Sequence, residues 1–280
     1  MRAALVVVAA LVPVPAQAAG DLLVAPQRVI LDGARGTEVI LNNIGSQPAT
    51  YRISLELRRM NREGRLDEVA EPQANSKEQA ALAMLSYAPR RVVLAPNQPQ
   101  AVRIGVRAPD GLPDGEYRAH MLFRAVPEAA PPTATTAKGL SVQLTMIYGV
   151  TIPIIVRKGS LQATAALSDP RRCTVQESGN TITQTPGATG GGGSPALCFT
   201  LAHGGERSTY GQIRVTRPGL KQPLVQVRGI AAYPEISART VSIPLDAQTA
   251  AQLSGPVKIE YLEDDAAGGG TIAALDAVIR

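Results

Sequence analysis

One long stretch of alternating residues constrains this chain more than any other feature of its sequence. The segment 140–156 reads LSVQLTMIYGVTIPIIV and is apolar at every second position. A period of two places those side chains on one face of an extended strand. The stripe is longer than a half-buried strand of a small sheet needs, so some surface has to cover it. Its nine apolar positions are Leu140, Val142, Leu144, Met146, Tyr148, Val150, Ile152, Ile154 and Val156.

The rest of the sequence also favours strands over helices. Short alternating runs recur along the 280 residues, and 26 glycines and 22 prolines suit the turns between them. We predict an all-β protein of two antiparallel sandwiches in series, one in residues 20–157 and one in residues 158–280. One short helix is expected just after Ser76, because the spacing of Ser76 and Gln79 fits a capping box.

The first 19 residues have the pattern of an export signal. Arg2 supplies a positive start, an apolar run follows to Val14, and PAQAAG offers a small-residue cleavage site after Ala18 or Ala19. The apolar run is too short to span a bilayer, so we predict a signal peptide at 1–19 and an exported mature protein. An uncleaved segment that lies at a membrane surface is the alternative.

Two cysteines, Cys173 and Cys198, are the only ones in the sequence. Exported proteins fold in oxidising compartments, where the simplest outcome is one disulfide between the two. Two buried free thiols are the alternative. Two cysteines and two histidines cannot complete a Cys/His zinc cage unless carboxylates assist, so no metal site is predicted.

Charge and motif content argue against nucleic-acid binding and catalysis. The formal net charge is +5. The densest basic run contains Arg58, Arg59, Arg62 and Arg65 but no interleaved aromatic residues for base stacking, so a solvated loop is expected there. Neither G-x-S-x-G nor H-E-x-x-H occurs, and His203 lies in a turn-like run and is expected at the surface. No enzyme and no cofactor are therefore predicted.

Four sequence blocks follow one another in a characteristic order. They are VAPQRVILDGARGTEVILNNIGSQPATYRISLE, YAPRRVVLAPNQPQAVRIGVR, LPDGEYRAHMLFRAVP and the alternating strand that ends in IPIIVRKG. Together they resemble the periplasmic chaperones of the chaperone–usher pilus pathway. The resemblance covers about residues 25–157 well, and GGERSTYGQIRV and VSIPL extend it loosely into the second half.

This resemblance implies two immunoglobulin-like sandwiches in an L shape, with a subunit-binding cleft between them. It also implies a periplasmic location, and pilus or fimbrial subunits and an outer-membrane usher as protein partners. Such chaperones lend the last strand of their first domain to a subunit that lacks its own final strand. The implied donor residues are Leu140, Val142, Leu144, Met146 and Tyr148, whereas Val150 to Val156 are expected to pack in the core of their own domain. That the whole stripe lies in the chain's own core is the alternative.

The family also uses basic residues in its cleft to anchor the C-terminal carboxylate of the subunit. Arg28 matches the first-strand arginine of that anchor, and a guanidinium offers a rigid donor fork suited to a carboxylate. A surface arginine on an edge strand is the alternative. The family usually adds a lysine on the last strand, but Pro153 stands at that position here. Arg157 and Lys158 lie nearby as candidates for the second basic group.

A different class of function also fits the pattern. A structural or adhesive surface protein of two sandwiches would use the stripe only as core. Replacement of Leu144 by glutamate separates the two classes, because it spoils client capture in a chaperone and unfolds a surface protein. An exposed apolar stripe also predicts that two copies can cap each other as a homodimer.

Overall fold

The computed structural model describes residues 22–127, 147–178, 181–184 and 193–280. Most of the described residues lie in β-strands. In chain order the strands and helices are β1 (Leu22–Ala25), β2 (Val29–Leu31), β3 (Thr37–Asn43), β4 (Ala49–Met60), β5 (Leu66–Val69), a 3-10 turn (Glu71–Gln73), α1 (Ser76–Met84), β6 (Leu85–Ala88), β7 (Arg91–Leu94), β8 (Pro99–Val106), β9 (Gly115–Val126), β10 (Gly149–Lys158), β11 (Ala163–Ser178), β12 (Thr181–Gln184), β13 (Ser194–Gly205), β14 (Thr209–Thr216), β15 (Val225–Ala232), β16 (Ala238–Pro244), α2 (Ala247–Gln252), β17 (Gly255–Glu263) and β18 (Thr271–Ile279).

The first ten strands form one sandwich. One sheet has the order β1-β3-β8-β6, and the other has the order β2-β10-β9-β4-β5 with β7 also paired to β4. Neighbouring strands run antiparallel except β2 and β10, which are parallel. With β1, β3, β4, β6, β8, β9 and β10 as strands A to G, the two sheets have the A-B-E-D and G-F-C orders of an immunoglobulin fold.

The second sandwich pairs the orders β12-β11-β13-β16 and β15-β14-β17-β18. Its core is aliphatic apart from a few aromatics such as Phe199 and Tyr261. The prediction of an all-β chain with two immunoglobulin-like sandwiches is therefore confirmed. The L shape stays a prediction.

Strand β10 carries the C-terminal half of the stripe, and its parity determines which face is buried. Ile152, Ile154 and Val156 are almost fully buried in the core of the first sandwich, and Val150 packs against that core. This confirms the expectation for Val150 to Val156. The odd-numbered positions of β10 point to the opposite face of the sheet, where Ile155 joins an apolar cluster with residues of the second sandwich.

Helix α1 begins where the sequence predicts a helix, but its capping box is shifted by one residue. The Asn75 side chain accepts a hydrogen bond from the backbone N–H of Glu78, and the Glu78 carboxylate accepts one from the backbone N–H of Asn75. Asparagine is at least as good an N-cap as serine, and the shift leaves Ser76 as the first helical residue.

A disulfide joins Cys173 on β11 to Cys198 on β13, which confirms the predicted pairing. The two strands are hydrogen-bonded neighbours, and the two Cα atoms lie 5.9 Å apart. The bond therefore links adjacent strands of one sheet within the second sandwich. None of the helices in the described residues is both long enough and apolar enough to cross a membrane.

Candidate functional site

The stripe enters the described structure along an open edge of the first sandwich. Strand β10 pairs with β9 over its whole length, but β2 covers its other edge only at Ile154, Ile155 and Val156. Among the described residues, no strand therefore lies beside Gly149 to Pro153 on that edge. Just before β10, Ile147 and Tyr148 are 58% and 47% exposed. Leu140, Val142, Leu144 and Met146 lie outside the described residues.

The hydrogen-bond phase of β10 shows which backbone groups face the open edge. The backbone N–H of Ala125 donates to the carbonyl of Tyr148 at 2.9 Å, so the ladder with β9 extends to Tyr148. In an antiparallel ladder, every second residue bonds to the same neighbour. Gly149 and Thr151 therefore point their backbone N–H and C=O groups towards the open edge. Pro153 falls in the same phase, so its missing N–H removes no bond to β9.

The outer face of this sheet forms one wall of the interface between the two sandwiches. Arg118 on β9 donates to Glu235 of the second sandwich at 2.5 and 3.2 Å, and its guanidinium lies 3.6 Å from the centre of the Tyr233 ring. Burial alone would lower the pKa of Arg118, but the Glu235 carboxylate outweighs that effect and raises it. Glu235 also accepts from the backbone N–H of Met60 at 2.8 Å. The two sandwiches therefore meet through a specific polar contact.

Arg28 lies at the same interface. Its guanidinium donates to the Tyr233 hydroxyl at 3.1 Å and to Ser208 Oγ at 2.7 Å, and it lies 4.7 Å from the centre of the Tyr210 ring. The Nε atom is buried and makes no hydrogen bond among the described residues. Arg28 is therefore a half-buried cation at the interface between the two sandwiches, held by neutral hydroxyls. A carboxylate can exchange with these hydroxyls, because charge-assisted hydrogen bonds are the stronger ones.

Arg157 and Lys158 are engaged in other contacts. Arg157 donates to Glu116 at 3.1 Å and to two backbone carbonyls of the second sandwich. The Glu116 side chain is 1% exposed and also accepts from the backbone N–H and the hydroxyl of Ser208. Lys158 donates to the carbonyl of Leu112. The charge of Arg157 is thus matched by a buried carboxylate at the interface.

One functional candidate, His120 on β9, was missed by the site predictions from sequence, which considered histidines only as metal ligands or bases. The residue is 1% exposed, and neither ring nitrogen makes a hydrogen bond to another of the described residues. Burial, and then the charges of Arg118, Arg58 and Arg28, hold its pKa well below the usual value. The alternation of EYRAHMLFRAV could have drawn attention to His120, because it places this residue on the face of the strand opposite to its apolar face.

One expectation for polar residues was right only in part, and a second was wrong. Arg62 and Arg65 lie in an exposed loop, as expected, but Arg58 and Arg59 lie in β4, where they pair with Glu56 and Glu78 respectively. The strand continues through them because both faces of β4 are covered near its end, one by the core and one by the second sandwich. His203, expected at the surface, is buried in β13, and its Nε2 lies 2.9 Å from the carbonyl of Arg207.

Comparisons with known proteins give matches among solved structures. No family model matches the chain, and no curated protein matches it. The chain is similar to the Escherichia coli chaperone DraB, with 16% identity, a TM-score of 0.45, and coverage of 92% of this chain and 96% of that chain. It is similar to a chain of the CsuC–CsuE chaperone and tip-subunit complex from archaic chaperone–usher pili of Acinetobacter baumannii, with 13% identity, a TM-score of 0.45, and coverage of 93% and 100%. A third match is the Salmonella enterica SafA pilin complex with the SafB chaperone, with 17% identity, a TM-score of 0.43, and coverage of 92% and 95%.

Proposed function

We propose that this chain is a periplasmic chaperone of the chaperone–usher pathway, which binds pilus or fimbrial subunits and delivers them to an outer-membrane usher. Its role is binding rather than catalysis. The observation that carries the proposal is the open edge of β10 at Gly149 to Pro153. An exposed strand edge is a template for a further strand, and a subunit that lacks its final strand supplies the complementary edge.

The lent segment is residues 140–148, which continue the alternation of β10. Tyr148 supports this, because it shares the parity of the core residues Ile152 and Ile154 yet is 47% exposed. Burial of five such side chains in a subunit groove is worth about 1.5–3 kcal/mol each, or roughly 7–15 kcal/mol in total before ordering costs. The five side chains are those of Leu140, Val142, Leu144, Met146 and Tyr148.

Arg28 is the proposed anchor for the C-terminal carboxylate of the subunit. Its position in the cleft, with two neutral hydroxyls as hydrogen-bond partners, supports this role. Arg157 is less suited to it, because it already pairs with the buried carboxylate of Glu116.

The test uses two charge insertions on opposite faces of the lent strand. Leu144→Glu places a carboxylate among the side chains that enter the subunit groove. Gln143→Glu places the same charge on the other face. Each variant is co-expressed with a subunit encoded beside the chaperone gene, and the complex is purified through a tag on the subunit. We expect Leu144→Glu to abolish co-purification and Gln143→Glu to retain it, with both chaperones folded by circular dichroism.

Unfolding of the isolated Leu144→Glu variant contradicts the proposal. It shows that the stripe is core, as in a structural or adhesive surface protein. Two chaperones can also cap each other through the same segment in the absence of a subunit. In that case gel filtration gives a dimer whose proportion rises with concentration, and Leu144→Glu shifts it to monomer.

A further inference from the structure

Three residues on the cleft face of the first sandwich lie in one transverse row. The parallel register of Ile154 with Val29 places the preceding residues, Pro153 and Arg28, side by side. The antiparallel register of β10 with β9 places His120 opposite Pro153 on the other side. Because neighbouring strands are about 4.8 Å apart, the backbones of Arg28 and His120 lie roughly 10 Å apart with Pro153 between them.

The middle residue of this row, Pro153, has the shortest side chain of the three and is partly exposed. The pyrrolidine ring of Pro153 carries no polar atom and is short compared with its two neighbours. An anion above Pro153 is therefore flanked by the side chain of Arg28 on one side and by that of His120 on the other. Arg28 reaches it by releasing the hydroxyls of Tyr233 and Ser208, which are uncharged partners.

The imidazole of His120 lacks what a buried polar group normally has. Both nitrogens are buried and have no hydrogen-bond partner among the described residues, which costs free energy unless a ligand compensates. The Thr151 hydroxyl on β10 donates to the Glu56 carboxylate on β4 at 3.2 Å, so this contact spans β9 between the register positions of Leu122 and His120. A hydroxyl–carboxylate contact of this kind can open to admit a ligand.

The charged and titratable groups around the ring are predominantly cationic. Glu56 on β4 is the register neighbour of His120, and it is already paired with Arg58 at 2.6 Å. The charged and titratable groups on the strands and loops that pack around His120 are Glu56 and Arg58 on β4, Glu116, Arg118 and Arg124 on β9, Arg157 on β10, Arg28 before β2, and Tyr210, Tyr233 and Glu235 of the second sandwich.

We propose that His120 is the second basic group of a carboxylate site that it forms with Arg28 across Pro153, and that it takes up a proton when the carboxylate binds. The site rests on the proposed function for the source of its ligand, the C-terminus of a client subunit. A histidine thus replaces a permanently charged residue on β10.

The proton uptake follows from the sign of the electrostatic effects. In the isolated protein, burial and then Arg118, Arg58 and Arg28 keep the pKa of His120 well below its usual value, so the ring is neutral at pH 7. A carboxylate beside the ring offsets these cations and accepts a hydrogen bond from the imidazolium, so it raises the pKa. Affinity for the carboxylate therefore rises as the pH falls, by up to about tenfold per pH unit for one coupled proton.

The minimal probe is N-acetylglycine, which carries the amide and the free carboxylate of a polypeptide C-terminus. Its control is N-acetylglycinamide, which lacks the charge. The sequence contains only two histidines, so the imidazole signals in NMR spectra are assigned with a His120→Gln variant. We expect N-acetylglycine, and not the amide, to move the His120 titration to higher pH. Binding strengthens between pH 7.5 and 5.5 in the wild type, loses this pH dependence in His120→Gln, and is lost in Arg28→Ala.

The proposed site is contradicted if N-acetylglycine does not shift the titration of the His120 NMR signals, or if N-acetylglycinamide shifts it equally. Binding to His120→Gln with the wild-type pH dependence overturns it as well. These outcomes are separable from those for strand lending, because N-acetylglycine has no groove that could accept the lent strand. If Leu144→Glu loses subunit capture but N-acetylglycine does not shift the His120 titration, only the proposed carboxylate site is contradicted. If N-acetylglycine shifts the His120 titration but Leu144→Glu still captures the subunit, only the strand-lending function is contradicted.

Discussion

Replacement of Glu235 by alanine removes the carboxylate that joins the two sandwiches. In the wild type this carboxylate accepts two hydrogen bonds from Arg118 and one from the backbone N–H of Met60. The Arg118 side chain is only 9% exposed, so the variant leaves a buried guanidinium without its counter-ion. Breaking a buried pair in this way costs about 3–5 kcal/mol. The remaining contacts of Arg118, to the carbonyl of Arg58 and to the ring of Tyr233, place the expected loss near the lower end of that range.

The assay is urea unfolding of the purified protein, with an exposed ion pair as the matched control. Arg103 and Glu38 also form a salt bridge, but their side chains are 82% and 49% exposed. Glu38→Ala is therefore expected to cost less than about 1 kcal/mol. Glu235→Gln keeps an acceptor oxygen and is expected to fall between the two alanine variants. If Glu235→Ala is as mild as Glu38→Ala, then the interdomain contact does not contribute in the way that its burial indicates.

Two further predictions concern stability. The Cys173→Ser/Cys198→Ser double variant is expected to lower the free energy of unfolding by about 3 kcal/mol, from the 25-residue separation of the two cysteines, as measured by urea unfolding without reductant. Glu78→Gln is expected to cost about 1 kcal/mol at pH 7, because it weakens the cap on Asn75 and removes the charge beside Arg59. Burial would raise the pKa of Glu78, but Arg59 and the Asn75 N–H lower it overall, so wild type and variant are expected to converge as the pH falls below 4.5 through the folded-state value. A gap that is constant from pH 7 to pH 3 contradicts the second prediction.

The fold could be predicted from local patterns because strand alternation and turn residues repeat along the whole chain. The stripe from 140 to 156 is the clearest case, since its period gives both the strand and its buried face. The capping box was displaced by one residue because Asn75 and Ser76 are both competent caps, and only the final geometry chooses between them. The basic residues Arg58 and Arg59 were misplaced because their partners, Glu56 and Glu78, could not be identified from local pattern alone.

The interface between the two sandwiches could be predicted only in part. The resemblance suggested Arg28 as a site residue, but its neighbours Tyr233 and Ser208 are 205 and 180 residues away in sequence. His120 was overlooked for the same reason, because its position opposite Pro153 depends on the register of β9 and β10. Long-range register and the docking of two sandwiches are decided by packing over the whole molecule. A single sequence read locally does not contain them.

Strand lending is tested most directly by amide hydrogen exchange, followed by NMR, in the isolated protein and in its complex with a subunit. An alternating pattern is expected in the isolated protein. Gly149 and Thr151, which face the open edge, exchange quickly, whereas Val150 and Ile152 are protected by β9. In the complex, Gly149, Thr151 and the amides of 140–148 become slow to exchange. Slow exchange of 140–148 already in the isolated monomer, or no added protection on subunit binding, shows that the segment is not lent to a subunit.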